Sequence, residues 1–316
     1  MVDCTDTAFF DSHGIKMDRI IDEGDYGYIY LVYSTKHQKN FALEKIHEEC
    51  FRDSDLKKIE IIFPDSSIQV YKYYRYQKFV YILMEFCPSE FYFHNSKKIS
   101  LNSDQMKKYC YEILCSIKMF HDRGISHTDL KPSNFMIDQN GRVKLCQASF
   151  ASLYEHNTHH IDYKDYMLFM SPEVLKQKAY DPFKADIWAV GIIFYYIILH
   201  IHPFFADNFK ALIKLVNDGI FPIFAIKDPE FRDVIIRCLD YCEETRATVD
   251  ELLNLPYFVS YATTKKPIRE RQIATRSHSA IVQNKFLQNL TEISKSRISR
   301  VPLTRRLAKT IGCKKD

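Results

Sequence analysis

Three short strings carry the residue types from which an active site is made. His127-Thr128-Asp129-Leu130-Lys131-Pro132-Ser133-Asn134 sets an imidazole, a carboxylate, an ammonium and a carboxamide within eight residues. Such a set is able to move a proton and to hold both an anion and a cation. Just downstream, Lys144-Leu145-Cys146-Gln147-Ala148-Ser149 brings Gln147, a neutral amide that coordinates weakly through oxygen and offers no charge to a hard cation. Upstream, Phe41-Ala42-Leu43-Glu44-Lys45 puts a carboxylate beside an ammonium in a run of strand type. Successive strand residues face opposite ways, so Ala42 and Glu44 share one face and Lys45 takes the other unless a bulge turns it. The difference is large: two unit charges about 4 Å apart interact by about 4 kcal/mol at an effective dielectric near 20, and exchanging Lys for Glu reverses the sign.

The elements that must position these strings are legible as periodicities. Ile29 to Tyr33, Phe41 to Leu43, Val70 to Tyr74 and Val80 to Met84 are β-branched and aromatic runs separated by polar turns, the pattern of a small antiparallel sheet. Between Asp22 and Tyr30, Gly24 and Gly27 allow the backbone to approach an anion closely. From Ser103 the period becomes helical, with Met106, Tyr109, Cys110, Ile113, Ile117 and Phe120 on one face behind Ser103-Asp104 as N-cap. Further helices are expected near 187–199, 208–218, 228–240 and 248–254. A β-rich first portion and a helical second portion predict a two-lobed α+β fold.

Composition bounds the rest. The nine cysteines are scattered without C-x-x-C spacing, which predicts reduced thiols in an intracellular protein of the cytoplasm or nucleus rather than a zinc site or disulfide framework. Met1 to Asp11 has no apolar core followed by a cleavage site, so no signal peptide is expected. The longest apolar run, Ile187 to Leu199, has 13 residues. A membrane span needs about 20, so no transmembrane segment is expected and that run reads as a buried core helix. The net charge of +4 is uneven: residues 259–316 hold 14 Lys or Arg against 3 Asp or Glu, leaving −7 on the other 258. Within that basic tail, Val282, Phe286, Asn289, Leu290 and Ile293 share a helical face.

In this order the strings resemble those of protein kinases, over roughly residues 14–258, with an N-lobe of about 14–87 and a C-lobe of about 88–258. The resemblance implies the two-lobed protein-kinase fold, with ATP and magnesium as cofactors. It makes Asp129 the catalytic base, Lys131 the residue that neutralises the transferred phosphate, and Asn134 a metal ligand. Gly24, Gly27, Ile29, Ala42, Lys45, Glu85, Cys87 and Met136 match the nucleotide-binding positions, with Met84 to Cys87 as the hinge. Gln147 stands where the family has the metal-ligating Asp of Asp-Phe-Gly, and Ala148 and Ser149 replace the Phe and Gly. Asp22 replaces the first loop glycine, Thr128 the Arg of the catalytic loop, and Tyr166 a threonine that contacts the catalytic pair. Glu44 takes the register of the family's strand lysine; Glu48, Glu49 and Glu60 are candidates for that lysine's partner. Met170-Ser171-Pro172-Glu173 resembles A-P-E, Arg246 the arginine that pairs with its glutamate, and Asp186 to Gly191 the D-x-W-x-x-G helix. Gly124 to Ile137 is similar to the G-I-V-H-S-D-L-K-P-A-N-F-L-I of the monopolar-spindle family of spindle-checkpoint kinases.

Groups that hold such a fold are kept, while groups that manage phosphate charge are altered at three places. The expectation is a pseudokinase related to spindle-checkpoint Ser/Thr kinases, binding protein partners or serving as a scaffold in cell-cycle control. Two alternatives stand beside it. One is a working, atypical Ser/Thr kinase that uses Asp129, Lys131 and Asn134 with Lys45 swung inward. The other is an adaptor whose tail, 259–316, binds an acidic surface. Contacts of such a tail are screened beyond about 8 Å at physiological ionic strength. Full-length protein should therefore recover partners at low salt that it loses at high salt and that a chain ending at Tyr261 does not recover. Identical pull-downs from the two chains at both salt levels would remove the tail as a binding element.

Overall fold

The computed structural model describes residues 4–24, 27–51, 66–90, 102–146, 167–177 and 179–262. The chain divides into two units, Met1–Tyr261 and Ala262–Asp316, and every element labelled here lies in the first. Helix α1 (Cys4–His13) precedes strands β1 (Ile15–Gly24), β2 (Gly27–Ser34), β3 (Lys39–His47), β4 (Val70–Tyr76) and β5 (Phe79–Glu85). These strands form one antiparallel sheet in the order β1-β2-β3-β5-β4. A second sheet joins β6 (Ser89–Glu90), β7 (Phe135–Ile137) and β8 (Val143–Leu145). The remaining elements are α2 (Ser103–His121), α3 (Pro172–Leu175), α4 (Pro182–Leu199), α5 (Phe209–Asp218), α6 (Pro229–Cys238) and α7 (Val249–Leu253). This is the two-lobed α+β arrangement that the periodicities predict.

Alternation in the sheet makes two apolar layers. Tyr30, Val32, Phe41, Leu43, Tyr81 and Leu83 point outward under α1, joined by its Phe9 and Phe10. Ala42, Ile46, Val80, Ile82 and Met84 point inward, toward the C-lobe. Phe9 is fully buried and stacks on Tyr81 at 3.8 Å between ring centroids; burying such a ring stabilises by about 1.5–3 kcal/mol. Helix α1 was not foreseen in the sequence. Its Phe9 and Phe10 are adjacent and form no stripe, so no amphipathic period marks it.

The C-lobe is built around α4, capped by the Asp181 side chain on the Phe183 amide with Pro182 in the first turn. It is long and apolar enough to cross a membrane by composition, yet Asp186 through Tyr195 are all buried in the lobe's core. Gly191 lets α6 approach: a Cβ there would lie 2.6 Å from that of Cys238. For α2, the cap is Asn102 rather than Ser103, with a capping box to Gln105.

Arg246 and Glu173 close the lobe from below. Arg246 is 1% exposed, and its guanidinium grips both Glu173 oxygens at 2.6 and 3.0 Å. It also donates to the Asp240 and Lys184 carbonyls and lies over the Trp188 ring at 5.1 Å. Burial pushes the Glu173 carboxyl up, but the hydrogen bonds and charge of Arg246 outweigh it and hold it below its ordinary value of 4.5. Removing one partner strands a buried charge, at a cost of about 3–5 kcal/mol. Arg246→Ala should therefore lower urea stability by that amount at pH 7. Because the folded-state value is depressed, the pair's contribution is complete above the ordinary glutamate range. It fades as pH falls through the folded-state value, and the gap between wild type and Glu173→Gln should close with it.

Candidate functional site

The catalytic-type loop hangs from α4. Asp186, 2% exposed, accepts from the backbone amides of His127 (2.7 Å) and Thr128 (2.8 Å) and pairs with His121 Nε2 at 3.0 Å. The grip holds Thr128 at φ +65, a left-handed conformation in which a β-branched side chain is strained by roughly 1–3 kcal/mol. The turn aims Asp129 and Lys131 together, with Lys131 Nζ 3.7 Å from the Asp129 carboxylate. Asn134 follows in a single 3-10 turn, Pro132–Asn134. Its carbonyl accepts from the Cys146 amide at 2.6 Å, and His127 Nε2 lies 3.2 Å from the Cys146 carbonyl. The loop is thereby tied to the residue that follows β8. A small cavity of about 60 Å³ opens beside Asp129, walled by Phe169, Met170, Val174 and Tyr180.

The cleft face of the sheet carries Ala42 and Glu44, each less than a tenth exposed. Strand β3 pairs with β2 and β5 without a register shift, so no bulge turns its residues. Lys45 therefore faces outward, where its ammonium meets Asp6 of α1 at 2.7 Å and the Phe79 ring at 4.0 Å. Asp6 is fully buried and also accepts from the Tyr81 hydroxyl at 2.7 Å and the Tyr30 hydroxyl at 3.1 Å. The expectation that Lys45 binds a nucleotide is thus corrected: the sheet's period of two commits it to the opposite face, in a network with α1.

Other expected residues have other tasks. Gly27 is required by the sheet itself, since a Cβ there would sit 1.7 Å from the Lys45 carbonyl oxygen. The Glu85 side chain turns to Lys144, a 1% exposed ammonium 3.3 Å away, and its backbone amide donates to Gln69. This pair joins residues 59 apart, and nothing in the sequence marks it. Ile29, Cys87 and Met136 do gather with Ala42 and Met84 in one apolar cluster. Of the candidates for a lysine partner, Glu48 pairs with Arg75 and Glu49 lies near His47, both at the surface. Gly24 ends β1. Gln147, Ala148, Ser149, Tyr166, Glu60 and the tail beyond residue 262 lie outside the described residues.

ATP and magnesium are what such a fold uses, and the residues fit them unequally. Asn134 Oδ1 is buried without a hydrogen-bond partner among the described residues, as suits an oxygen that ligates a cation. Glu44 does not fit a triphosphate. Its charge reaches the cleft floor, where burial and then Glu44 push the Cys146 thiol up to about 12.

Residues 15–258 match the protein kinase domain. The chain belongs to the protein kinase family. It is 22% identical over 259 residues to CBL-interacting protein kinase 2 of Oryza sativa subsp. japonica, covering 77% of this chain and 57% of that one. It is 25% identical over 258 residues to an Aurora kinase of Dictyostelium discoideum, covering 78% and 66%. Against CBL-interacting serine/threonine-protein kinase 19 of Arabidopsis thaliana it is 24% identical over 254 residues, covering 77% and 53%. The chain thus spans little more than half the length of these plant relatives.

The geometry separates Lys45 from the family's phosphate chemistry. Lys45→Ala should lower stability by about 3–5 kcal/mol, because the buried Asp6 carboxylate loses its ion pair and keeps the two tyrosine hydroxyls. It should leave nucleotide affinity, measured by calorimetry, unchanged. A variant of normal stability with altered affinity would put Lys45 back in the cleft.

Proposed function

We propose that this kinase-family protein is a pseudokinase, acting inside the cell, in cytoplasm or nucleus, by binding protein partners rather than by transferring phosphate. One observation carries the reading: Glu44 occupies the cleft-facing register while Lys45 is held on the outer face by Asp6. Phosphoryl transfer depends on positioned positive charge at the phosphates, and a carboxylate at that register opposes it. A role in cell-cycle control, akin to spindle-checkpoint kinases, is supported by the loop Gly124 to Ile137 alone; the named relatives are CBL-interacting and Aurora kinases. The basic tail, net +11 over residues 259–316, is proposed as the part that seeks an acidic protein surface.

The rival is an atypical Ser/Thr kinase. It is favoured by the grouping of Asp129 with Lys131 and of Asn134 with Cys146, and by the names of the relatives. Transfer of labelled γ-phosphate to generic protein substrates, with magnesium or manganese, separates the two. The expected outcome is no transfer above background in wild type and no difference in Asp129→Asn. Transfer that is present in wild type and lost in Asp129→Asn would establish the rival.

A further inference from the structure

Away from the cleft, the outer face of the N-lobe sheet holds two cations of an unusual kind. Lys39 opens β3 and Lys72 lies in β4, and both are exposed. The Lys39 ammonium sits 4.8 Å over the Phe41 ring and 5.0 Å over the Tyr71 ring, and donates to the Tyr71 hydroxyl at 3.4 Å. That of Lys72 sits 4.5 Å over the Tyr74 ring. Tyr71 packs edge-on against Phe41 at 5.3 Å, and Tyr74 against His13 of α1 at 4.6 Å. The rings thus hold two long, flexible side chains in place. Arg75, farther along β4, is paired with Glu48; among the described residues Lys39 and Lys72 form no ion pair. Lys36 and His37, both exposed, stand in the turn that leads into β3.

The strand that carries Lys72 is also the outermost of its sheet, with β5 on one side and no strand on the other among the described residues. From Lys72 to Tyr76 its register with β5 runs without a shift. A regular edge of this kind accepts an added strand through its backbone groups.

We propose that this edge is a docking site for an acidic, extended segment of a partner protein, which adds as a strand beside β4 and sets its carboxylates against Lys72 and Lys39. Charge decides the sign of the partner. Residues 1–258 carry a net −7, so two unpaired ammonium groups together are a local exception on an acidic body. The same net charge opposes a long polyphosphate, and the rings are engaged by cations and by one another instead of lying bare for base stacking. A strand edge also recognises a peptide backbone, which nucleic acid lacks. The site is separate from the cleft, so its failure leaves the non-catalytic reading standing, and phosphoryl transfer by the chain would leave the site standing.

The test uses the full chain and a labelled peptide of alternating glutamate and threonine, a pattern that puts every carboxylate on one face of a strand. Hydrogen exchange read by mass spectrometry locates the contact, and fluorescence anisotropy measures its strength. The peptide should slow exchange over Val70–Tyr76. The double variant Lys39→Glu, Lys72→Glu should weaken binding at least about tenfold, the Lys→Gln pair should weaken it less, and 1 M salt should abolish it, since screening then acts within about 3 Å. Both side chains are exposed, and melting curves establish that the variants fold; should the Glu pair fail, the Gln pair decides. Protection confined to residues 262–316 would overturn the proposal by assigning the peptide to the basic tail. Protection of Val70–Tyr76 by a uridine decanucleotide but not by the peptide would overturn it in favour of nucleic acid. Lysines on an edge also serve to repel other strands. No protection of β4 by the peptide, with aggregation of the Gln pair, would overturn the proposal and leave that guarding role.

Discussion

Strand β3 has no residue free to turn. From Phe41 to Ile46 every side chain is buried, the odd positions under α1 and the even positions over the cleft. The hydrogen bonds on both sides of β3 run without a shift, and a slip of one residue would exchange the two layers entirely. Exchanging a lysine and a glutamate between the two faces is thus fixed by the packing of Phe41, Leu43 and Ile46, not by local choice at either charge. Helix α1 completes the outer layer and supplies the carboxylate that makes a buried lysine tolerable there. An isolated buried ammonium costs several kcal/mol; Asp6, bonded to Lys45, Tyr30 and Tyr81, offsets it.

The C-lobe shows the complementary economy. Asp186 holds two consecutive amides of the catalytic-type loop and keeps Thr128 in a strained conformation. Arg246 gathers Glu173, two carbonyls and Trp188 into one buried contact. These groups act on the backbone and the core, so they persist whatever the cleft binds. The altered positions, Glu44 and Gln147, belong to the other class, whose value depends on a ligand. A fold can change the second class while the first still holds its architecture together.

Much of this was legible in the sequence, where local rules apply. The sheet strands, the long helices and the facing of Glu44 and Lys45 follow from periods of 2 and 3.6, while the Glu173–Arg246 pair follows from the resemblance to protein kinases. Features that join distant residues were not legible. Asp6 meets Tyr30 and Tyr81 across 24 and 75 residues, and a lone carboxylate near a terminus gives no sign of burial. The ion pair of the Glu85 side chain with Lys144 joins residues 59 apart and has no local sign either. Gly27 read as an anion-loop glycine, and the sheet adds a second demand on it, room for the Lys45 carbonyl. In each case a tertiary neighbour, not the local pattern, decides what the residue does.

Asn134 marks the limit of reading this cleft as mere scaffolding. Leaving a buried polar atom without a partner costs about 1–3 kcal/mol, and Asn134 Oδ1 is such an atom among the described residues. Its carbonyl already ties the loop to Cys146, so the structural task at this position is performed by the backbone and would be performed as well by an apolar side chain. The Oδ1 atom is satisfied when a hydrogen-bond donor or a cation enters beside it.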